Sequence, residues 1–282
     1  MSQGLHVNLN GSILPATERL FPASNRSFRY GDGLFETIRH AKGKTQFIPA
    51  HIERIKTSME VLKMDLPKEF TVDFLRTKCS ELVDLNRASK GARIRLTFYR
   101  NDGGYYTPES NKVSWLLECE PIEESLYNLN AAGHVIDIFP DYKKQIHRLS
   151  NIKCNNAEMS VLAAIYKKEN NLDDCVILNT NFSIAEGISG NVFAVKNGVL
   201  YTPPISDGCV DGIMRKQIIE VAKKHRISVY EVSLAMNVLL NSDELFLSNV
   251  VSGLSWISAY KAKRFTNSMS KLLVEKLNES LE

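Results

Sequence analysis

Two Asn-Gly dipeptides, each flanked by short runs rich in apolar residues, constrain the fold of this chain more than any other feature. Both residue types tolerate a positive φ angle, which the tight turn of a β-hairpin requires. We therefore predict one hairpin in "LHVNLNGSIL", turning at Asn10-Gly11, and another in "NVFAVKNGVLYTPP", turning at Asn197-Gly198. Each half of the chain should accordingly contain antiparallel strands.

Further strands and several helices are expected around these hairpins. A third hairpin is predicted in "LFETIRHAKGKTQFI", and strands are predicted in "ARIRLTFYR", in "KVSWLLECE" and near 133–139, 174–179 and 191–196. Helical spacing of apolar residues predicts helices over 49–63, 71–86, 154–168, 213–225 and 268–281. Strands and helices do not alternate regularly, so we expect the α+β fold class, with two layers and two domains.

The domain boundary is expected in the polar stretch "PIEESLYNLNAAG". This stretch has few strong apolar residues and has predicted elements on both sides, as interdomain linkers do. The sequence therefore predicts a small N-terminal α+β domain over 1–120, a linker over 121–133 and a larger domain over 134–282.

Charge and cysteine content narrow the class of protein. The net charge is 35 − 32 = +3 without a long basic run, so we expect no nucleic-acid partner. The five cysteines are odd in number and include no C-x-x-C, which argues against a disulfide framework and favours a reducing cytoplasm. No apolar stretch has membrane-spanning length and the first residues lack a signal-peptide profile, so we expect no membrane association.

Lys153 lies in an unusual setting for a solvated charge. Ala157, Val161, Ala164 and Ile165 follow it at helical spacing, so Lys153 is predicted to open the apolar stripe of a helix. One interpretation is a buried methylene stem with its ammonium group at the surface. The other is a buried amine whose lowered pKa makes it a nucleophile that forms Schiff bases.

Glu186 lies between a strand-like segment and the glycine-rich turn in "SIAEGISGN". It is either a solvated loop acid or a carboxylate that pairs with a protonated ring nitrogen. The second arrangement tunes the electron-accepting ring of pyridoxal phosphate (PLP).

Two stretches are candidates for phosphate binding. Gly212 precedes a predicted helix, so the amides of Ile213 and Met214 would lie at a helix N-terminus, where anions bind, although most helix starts bind no ligand. Arg54 in "HIERI" is either a surface arginine or a bidentate phosphate ligand. With Lys153 and Glu186, these groups would supply the parts that a PLP site requires.

The same segments resemble a known family. "YGDGLFETIR", "HIERI", "SNIKCNN", "AEGISGNVFAVKNGVLYTPP", "GIMR" and "DELFLSNVVSG" occur in the order found in class IV, fold-type IV PLP enzymes. This family includes branched-chain aminotransferases, D-amino-acid aminotransferases and aminodeoxychorismate lyases. The resemblance covers about residues 30–253.

The resemblance implies a role for each matching residue. Lys153 matches the Schiff-base lysine, which also shuttles a proton at the substrate Cα. The other cofactor-binding positions of the family fall on Glu186, Arg54, Asn191, Ile213 and Met214. The family also implies a small N-terminal α/β sandwich domain and a larger barrel-like domain with the active site between them. It implies a homodimer as well, with a small amino-acid-like substrate and no metal ion.

The choice of reaction within the family depends on a few positions. Thr37, a predicted catalytic residue, and Asn249 resemble the lyase pattern, as does the methionine of "GIMR". Thr37 is also explained simply as a β-former in a strand. We therefore expect an aminodeoxychorismate lyase, with a branched-chain or D-amino-acid aminotransferase as the alternative.

The substrate-binding residues are less clear from the sequence. Tyr105 and Tyr106 occupy positions where lyases and D-amino-acid aminotransferases usually have a carboxylate-binding arginine. That role would pass to Arg93, Arg95 or Arg100, of which the first two share one face of a strand. The tyrosines alone would instead suit an apolar substrate and an aminotransferase.

Two other classes of protein were weighed. A PLP-free binding protein with the same fold conflicts with the presence of both Lys153 and Glu186. A dehydrogenase conflicts with the absence of a G-x-G-x-x-G motif after a strand.

Overall fold

The computed structural model describes residues 5–123 and 126–281, which form two compact units. The first unit comprises residues 1–126 and the short segment 152–156, and the second comprises 127–151 and 157–282. The predicted domain boundaries stay a prediction, and residues 1–4, 124, 125 and 282 of their ranges lie outside the described residues. The segment 152–156 lies in the first unit, although its sequence position is within the predicted second domain.

The first unit contains a six-stranded antiparallel sheet with the strand order β2-β1-β6-β5-β3-β4. Its strands are β1 (His6–Leu9), β2 (Ser12–Pro15), β3 (Gly33–Ala41), β4 (Lys44–Thr45), β5 (Gly91–Arg100) and β6 (Val113–Pro121). The Asn10-Gly11 hairpin is confirmed, with φ angles of 49° and 96°. The hairpin between β3 and β4 is confirmed as well.

Helices α2 (Ile48–Leu62) and α3 (Val72–Leu85) cover one face of this sheet, so the helices predicted over 49–63 and 71–86 are confirmed. A short helix, α1 (Arg26–Tyr30), precedes β3. Thr71 caps α3 by accepting a hydrogen bond from the Phe74 amide at 3.2 Å. Every second residue of β3 and β5 points into the core beside these helices, and the most buried of them are Leu34, Ile38, Ile94, Leu96 and Phe98.

The second unit contains a ten-stranded mixed sheet, in the order β12-β11-β10-β14-β15-β7-β8-β9-β13, with β16 paired to β15. Its strands are β7 (His134–Ile138), β8 (Asp174–Leu178), β9 (Ser183–Gly187), β10 (Asn191–Lys196), β11 (Val199–Thr202), β12 (Val229–Glu231), β13 (Leu234–Ala235), β14 (Glu244–Asn249), β15 (Gly253–Tyr260) and β16 (Lys263–Arg264). The hairpin that turns at Asn197-Gly198 is confirmed between β10 and β11.

Four helices belong to this unit. They are α4 (Glu158–Glu169), α5 (Ile213–Lys224), α6 (Val238–Asn241) and α7 (Ser268–Glu279). The helices predicted over 213–225 and 268–281 are confirmed within two residues at each end. Helices and two separate sheets confirm the α+β class. No helix within 5–123 and 126–281 is both long and apolar enough to span a membrane.

The helix predicted over 154–168 is wrong at its start, because α4 begins only at Glu158. Lys153 therefore does not open a helical stripe. The predicted stripe does not face the core either, since the side chains of Val161 and Ile165 are 56% and 47% exposed. The helix instead packs through Ala163, with Tyr166 beside it.

Candidate active site

Lys153 lies on a short extended segment that pairs with the start of β3. The Phe35 amide donates to the Lys153 carbonyl at 2.9 Å, and Leu34 forms a β-bridge with Cys154. These backbone contacts explain why the segment is not helical. The Lys153 Nζ lies 4.0 Å from the centre of the Phe35 ring, a cation–π distance that fixes the position of the amine.

Arg95 contacts the same aromatic ring. Its guanidinium carbon lies 3.7 Å from the Phe35 ring centre, and its Nε donates to the Thr97 hydroxyl at 3.2 Å. Burial lowers the pKa of Arg95, and the Glu118 carboxylate opposes that shift. An arginine in a protein nevertheless stays charged. The Phe35 ring thus contacts both the Arg95 guanidinium and the Lys153 amine.

Thr37 lies on the same face of the sheet. It is the partner of Arg95 in the register between β3 and β5, and Phe35 is the partner of Thr97. Because side chains alternate along a strand, all four share the face opposite the helices. Arg93 lies two residues before Arg95 and is paired with Glu120 at 3.1 Å.

A buried group of charged residues lies on the other face, beside α2. Arg54 binds both carboxylate oxygens of Glu36, at 2.8 Å and 2.5 Å, and His51 Nδ1 lies 2.6 Å from one of them. Burial alone would raise the pKa of the Glu36 carboxyl, but Arg54 and His51 lower it to about 2. Arg54 is only 6% exposed, so it is not a surface arginine.

Arg100 is occupied by the protein itself. Its Nε donates to Asp32 at 3.0 Å, and its Nη1 donates to the Asn111 side chain at 2.6 Å. Its Nη1 and Nη2 also donate to the carbonyls of Lys63 and Leu62. This buried arginine ties three segments of the first unit together, which argues against the substrate-binding role predicted for it.

Tyr105 and Tyr106 lie on the surface of the first unit, and the Tyr106 ring contacts Tyr30 with 5.6 Å between the ring centres. Their side chains are 81% and 89% exposed. The loop that carries them is held by Arg26, whose Nη1 donates to the carbonyls of Gly103 and Tyr105 at 2.9 Å and 2.6 Å. The tyrosines are therefore displayed on an anchored loop, where the described residues of the unit do not cover them.

Glu186 lies in β9 and its side chain is only 12% exposed, so it is not a solvated loop acid. One carboxylate oxygen accepts a hydrogen bond from the Val210 amide at 2.8 Å. The other contacts the ammonium group of Lys144. The carboxylate is thereby held against the loop that leads into α5.

The N-terminus of α5 is shaped by Gly212 and Asn191. Gly212 is the N-cap residue, and no side chain of the described residues caps the helix there. A Cβ atom at Gly212 would lie 2.0 Å from the Asn191 Oδ1, so any other residue requires Asn191 or the helix start to move. Asn191 also donates to the Val210 carbonyl at 2.8 Å. The amides of the first turn are those of Ile213 and Met214, the predicted anion site.

Three residues that shape these surroundings were missed in the sequence: Phe35, Lys144 and Asn151. Asn151 donates to the carbonyls of Ile205 and Cys209 at 2.7 Å and 2.8 Å, which fixes the loop before α5. Their partners are distant in sequence, so no local pattern identifies them. Phe35 and Asn151 nevertheless gave a signal, as parts of the family segments "YGDGLFETIR" and "SNIKCNN".

Asn249 stabilises the turn at the end of β14. Its side-chain oxygen accepts hydrogen bonds from the amides of Val251 and Ser252, at 3.0 Å and 2.9 Å. These bonds close the turn into β15, a role that asparagine commonly has in turns. The side chain of Met214 is buried in the core. Two of the residues that favoured a lyase thus have structural explanations.

Comparison with known proteins gives the same family for most of the chain. The sequence model of the amino-transferase class IV family matches residues 33–260. The chain is 29% identical to a D-alanine aminotransferase of Staphylococcus aureus, over 86% of this chain and 84% of the relative. It is 27% identical to an aminodeoxychorismate lyase of Vibrio harveyi, over 88% of this chain and 90% of the relative.

A solved structure shows the same fold. The branched-chain aminotransferase of Thermoproteus uzoniensis, determined with norvaline, superposes with a TM-score of 0.87 at 23% identity. The match covers 97% of this chain and 93% of the other. At this identity the likeness concerns the fold alone.

Proposed function

Since the chain belongs to the class IV aminotransferase family, we propose that it is an aminodeoxychorismate lyase. The chain is an enzyme of a PLP-dependent family, and PLP is its cofactor. The proposal concerns the reaction, in which 4-amino-4-deoxychorismate gives pyruvate and 4-aminobenzoate. The observation that carries it is the position of Thr37, opposite Arg95 and on the face of Phe35 and Lys153.

The residues present fit PLP in their chemistry. The start of α5, where Gly212 is the N-cap residue and no side-chain cap of the described residues is present, offers the amides of Ile213 and Met214 to a phosphate. Arg54, whose Nε and Nη2 already donate to Glu36, is the proposed further phosphate ligand, and Asn191 supports the loop that precedes the helix.

The ends of the cofactor have matching partners as well. The Lys153 amine is the proposed covalent attachment point, and Glu186 is the proposed partner of the ring nitrogen. When bound, PLP supplies a ring that accepts the electron pair left at the substrate Cα. The protein residues then bind the substrate, orient it and move its protons.

Lys153 is the proposed base that removes the proton from the substrate Cα. Its ammonium group contacts the Phe35 ring at 4.0 Å, so the nitrogen has a defined position before substrate binds. In the lyase reaction the ring loses this proton, the ring C–O bond breaks with its electron pair on the oxygen, and the released deprotonated enol takes up one proton at its methylene carbon to become pyruvate. No net proton is gained or lost.

Arg95 is the proposed ligand of the substrate carboxylate. Within 5–123 and 126–281 its terminal nitrogens form no hydrogen bond, because only its Nε is bonded to Thr97. Its guanidinium carbon lies 3.7 Å from the centre of the Phe35 ring, the same ring that the Lys153 amine contacts, and its Nε lies 3.9 Å from Glu118. Arg100, by contrast, is fully occupied by protein acceptors.

Thr37 is the proposed proton carrier to the enol. A hydroxyl both donates and accepts, so it can hand over one proton and take up another. A lyase needs such a group on the substrate side of the sheet, and Thr37 supplies it across from Arg95.

The test is an assay with 4-amino-4-deoxychorismate in the absence of any 2-oxo acid. We expect release of pyruvate and 4-aminobenzoate in equal amounts. Thr37→Val keeps the shape of the side chain and should lower kcat at least about 100-fold. Thr57→Val, on the exposed side of α2, is the matched control and should leave kcat unchanged.

The second candidate is a branched-chain or D-amino-acid aminotransferase. Asn249 closes a turn and the Met214 side chain is buried in the core, so a lyase is not needed to explain either residue. Two of the reasons for a lyase are thereby removed, which favours this candidate. Turnover of leucine or D-alanine that requires an acceptor such as 2-oxoglutarate, with 4-amino-4-deoxychorismate inert, would select this candidate. Ping-pong kinetics would accompany it.

A further inference from the structure

Lys144 contacts the carboxylate of Glu186, and the backbone fixes its position. The Lys144 amide donates to the Leu178 carbonyl at 2.8 Å, and the Thr180 amide donates to the Lys144 carbonyl at 3.1 Å. Lys144 thus runs beside the end of β8, next to the strand that carries Glu186. The two side chains are only 14% and 12% exposed, so water screens their charges weakly.

The carboxylate of Glu186 has room for a third donor. An ionised carboxylate offers about four lone-pair positions on its two oxygens. Lys144 uses one position on the first oxygen, and the Val210 amide uses one on the second. A protonated ring nitrogen can therefore bind Glu186 while Lys144 stays in place.

The other charged and titratable groups near this carboxylate in the second unit have different partners or stay neutral. Burial raises the pKa of the Cys209 thiol to about 12, so it stays neutral at ordinary pH. Arg215 is paired with Glu231 at 2.6 Å, and Asp211 with Lys216 at 2.6 Å. Lys144 is the cation in direct contact with the Glu186 carboxylate.

We propose that Lys144 is a positioning residue that holds Glu186 in place and lowers the proton affinity of the cofactor ring nitrogen bound there. This inference rests on the proposed binding of that nitrogen by Glu186. The reason is electrostatic, because a like charge near a titrating cation disfavours its protonated form. The ring nitrogen consequently loses its proton at a lower pH than it would beside an isolated glutamate.

The experiment compares Lys144→Met with wild type, using holoenzyme prepared with PLP labelled with ¹⁵N in its ring. The ring-nitrogen chemical shift is followed by NMR as a function of pH. We expect the midpoint of the titration to rise by about 1 to 2 pH units in Lys144→Met, the range typical of one nearby charge. Lys144→Gln provides the same test if Lys144→Met does not fold.

Two control variants isolate the charge. Lys144→Arg retains the positive charge and should titrate within about 0.5 pH units of wild type, a small fraction of a one-charge effect. Lys143→Met removes the neighbouring lysine, whose Nζ instead donates to the Pro140 carbonyl at 3.2 Å, and should titrate like wild type.

The possible results separate this inference from the proposed function. If wild type binds PLP and Lys144→Met titrates at the same or a lower pH, the role of Lys144 is overturned while the proposed function stands. If neither wild type nor any variant takes up PLP, the proposed function fails together with the inference.

Discussion

Glu36 is an ionised side chain inside an apolar core, and its contacts with Arg54 and His51 keep it charged. Arg54 and His51 hold the pKa of its carboxyl at about 2, against an ordinary value of 4.5. A carboxyl with a lowered pKa stabilises the fold above its unfolded pKa, and this contribution is lost as the pH falls towards the folded pKa. The shift corresponds to about 3 kcal/mol.

Glu36→Gln should therefore destabilise the protein at pH 7 by about 3 kcal/mol or more, because Arg54 is left buried without its counter-ion. The difference from wild type should shrink as the pH falls from about 4.5 towards 2. Urea unfolding at several pH values measures it. Glu53→Gln, exposed on the same helix, is the control, and an equal loss of stability in that variant would contradict the account.

Arg95 and Arg93 offer a matched pair for the substrate-binding proposal. Both lie on the same face of β5, and within the described residues Arg95, unlike Arg93, contacts the Phe35 ring that Lys153 also contacts. Arg95→Met should lower kcat/KM roughly 10- to 100-fold through loss of a charge-assisted hydrogen bond. Arg93→Met should change it little. Steady-state kinetics with the accepted substrate measure both effects. A larger loss of kcat/KM in Arg93→Met than in Arg95→Met would show that Arg95 does not bind the substrate carboxylate.

The start of α5 is the element on which phosphate binding depends. A methyl group at Gly212 would lie 2.0 Å from the Asn191 Oδ1, so Gly212→Ala must displace either the helix start or Asn191. We expect its affinity for pyridoxamine phosphate, measured by calorimetry, to fall at least about tenfold. Gly212→Ala combined with Asn191→Ala relieves the clash and should recover part of the loss. Unchanged affinity in Gly212→Ala would exclude this site.

The elements show which parts of the fold a sequence can predict. The hairpins at Asn10-Gly11 and Asn197-Gly198 were predicted correctly because the turn chemistry is local. The start of α4 was wrong because Lys153 is held by backbone pairing with β3, over a hundred residues away in sequence. Periodicity within a window contains no information about such a partner.

In the candidate site, too, some features could be predicted from the sequence and others could not. Lys153, Glu186 and Gly212 were proposed from the sequence because each belongs to a contiguous segment, and their roles stay predictions. The hydrogen bonds from Arg100 to distant carbonyls were not predicted, and neither was the contact between Lys144 and Glu186. Both arise only when remote segments of the chain pack together.

For the whole molecule we predict a homodimer, which the family resemblance implies. Exposed aromatic side chains in the first unit are surface that a second copy could cover, with Phe28 85% and Tyr106 89% exposed. Sedimentation at micromolar concentration should give a dimer, and Tyr105→Ser combined with Tyr106→Ser should weaken it. Val161→Ser on α4 is the matched control. A fully active monomer of the wild type would contradict the prediction.

The most direct test of the account is to locate the cofactor on the chain. Purified protein loaded with PLP is reduced with borohydride, digested and analysed by mass spectrometry. The account predicts a cofactor adduct on the peptide that contains Lys153, and none after Lys153→Ala. A protein that takes up no PLP, or an adduct on another lysine such as Lys144, would contradict it.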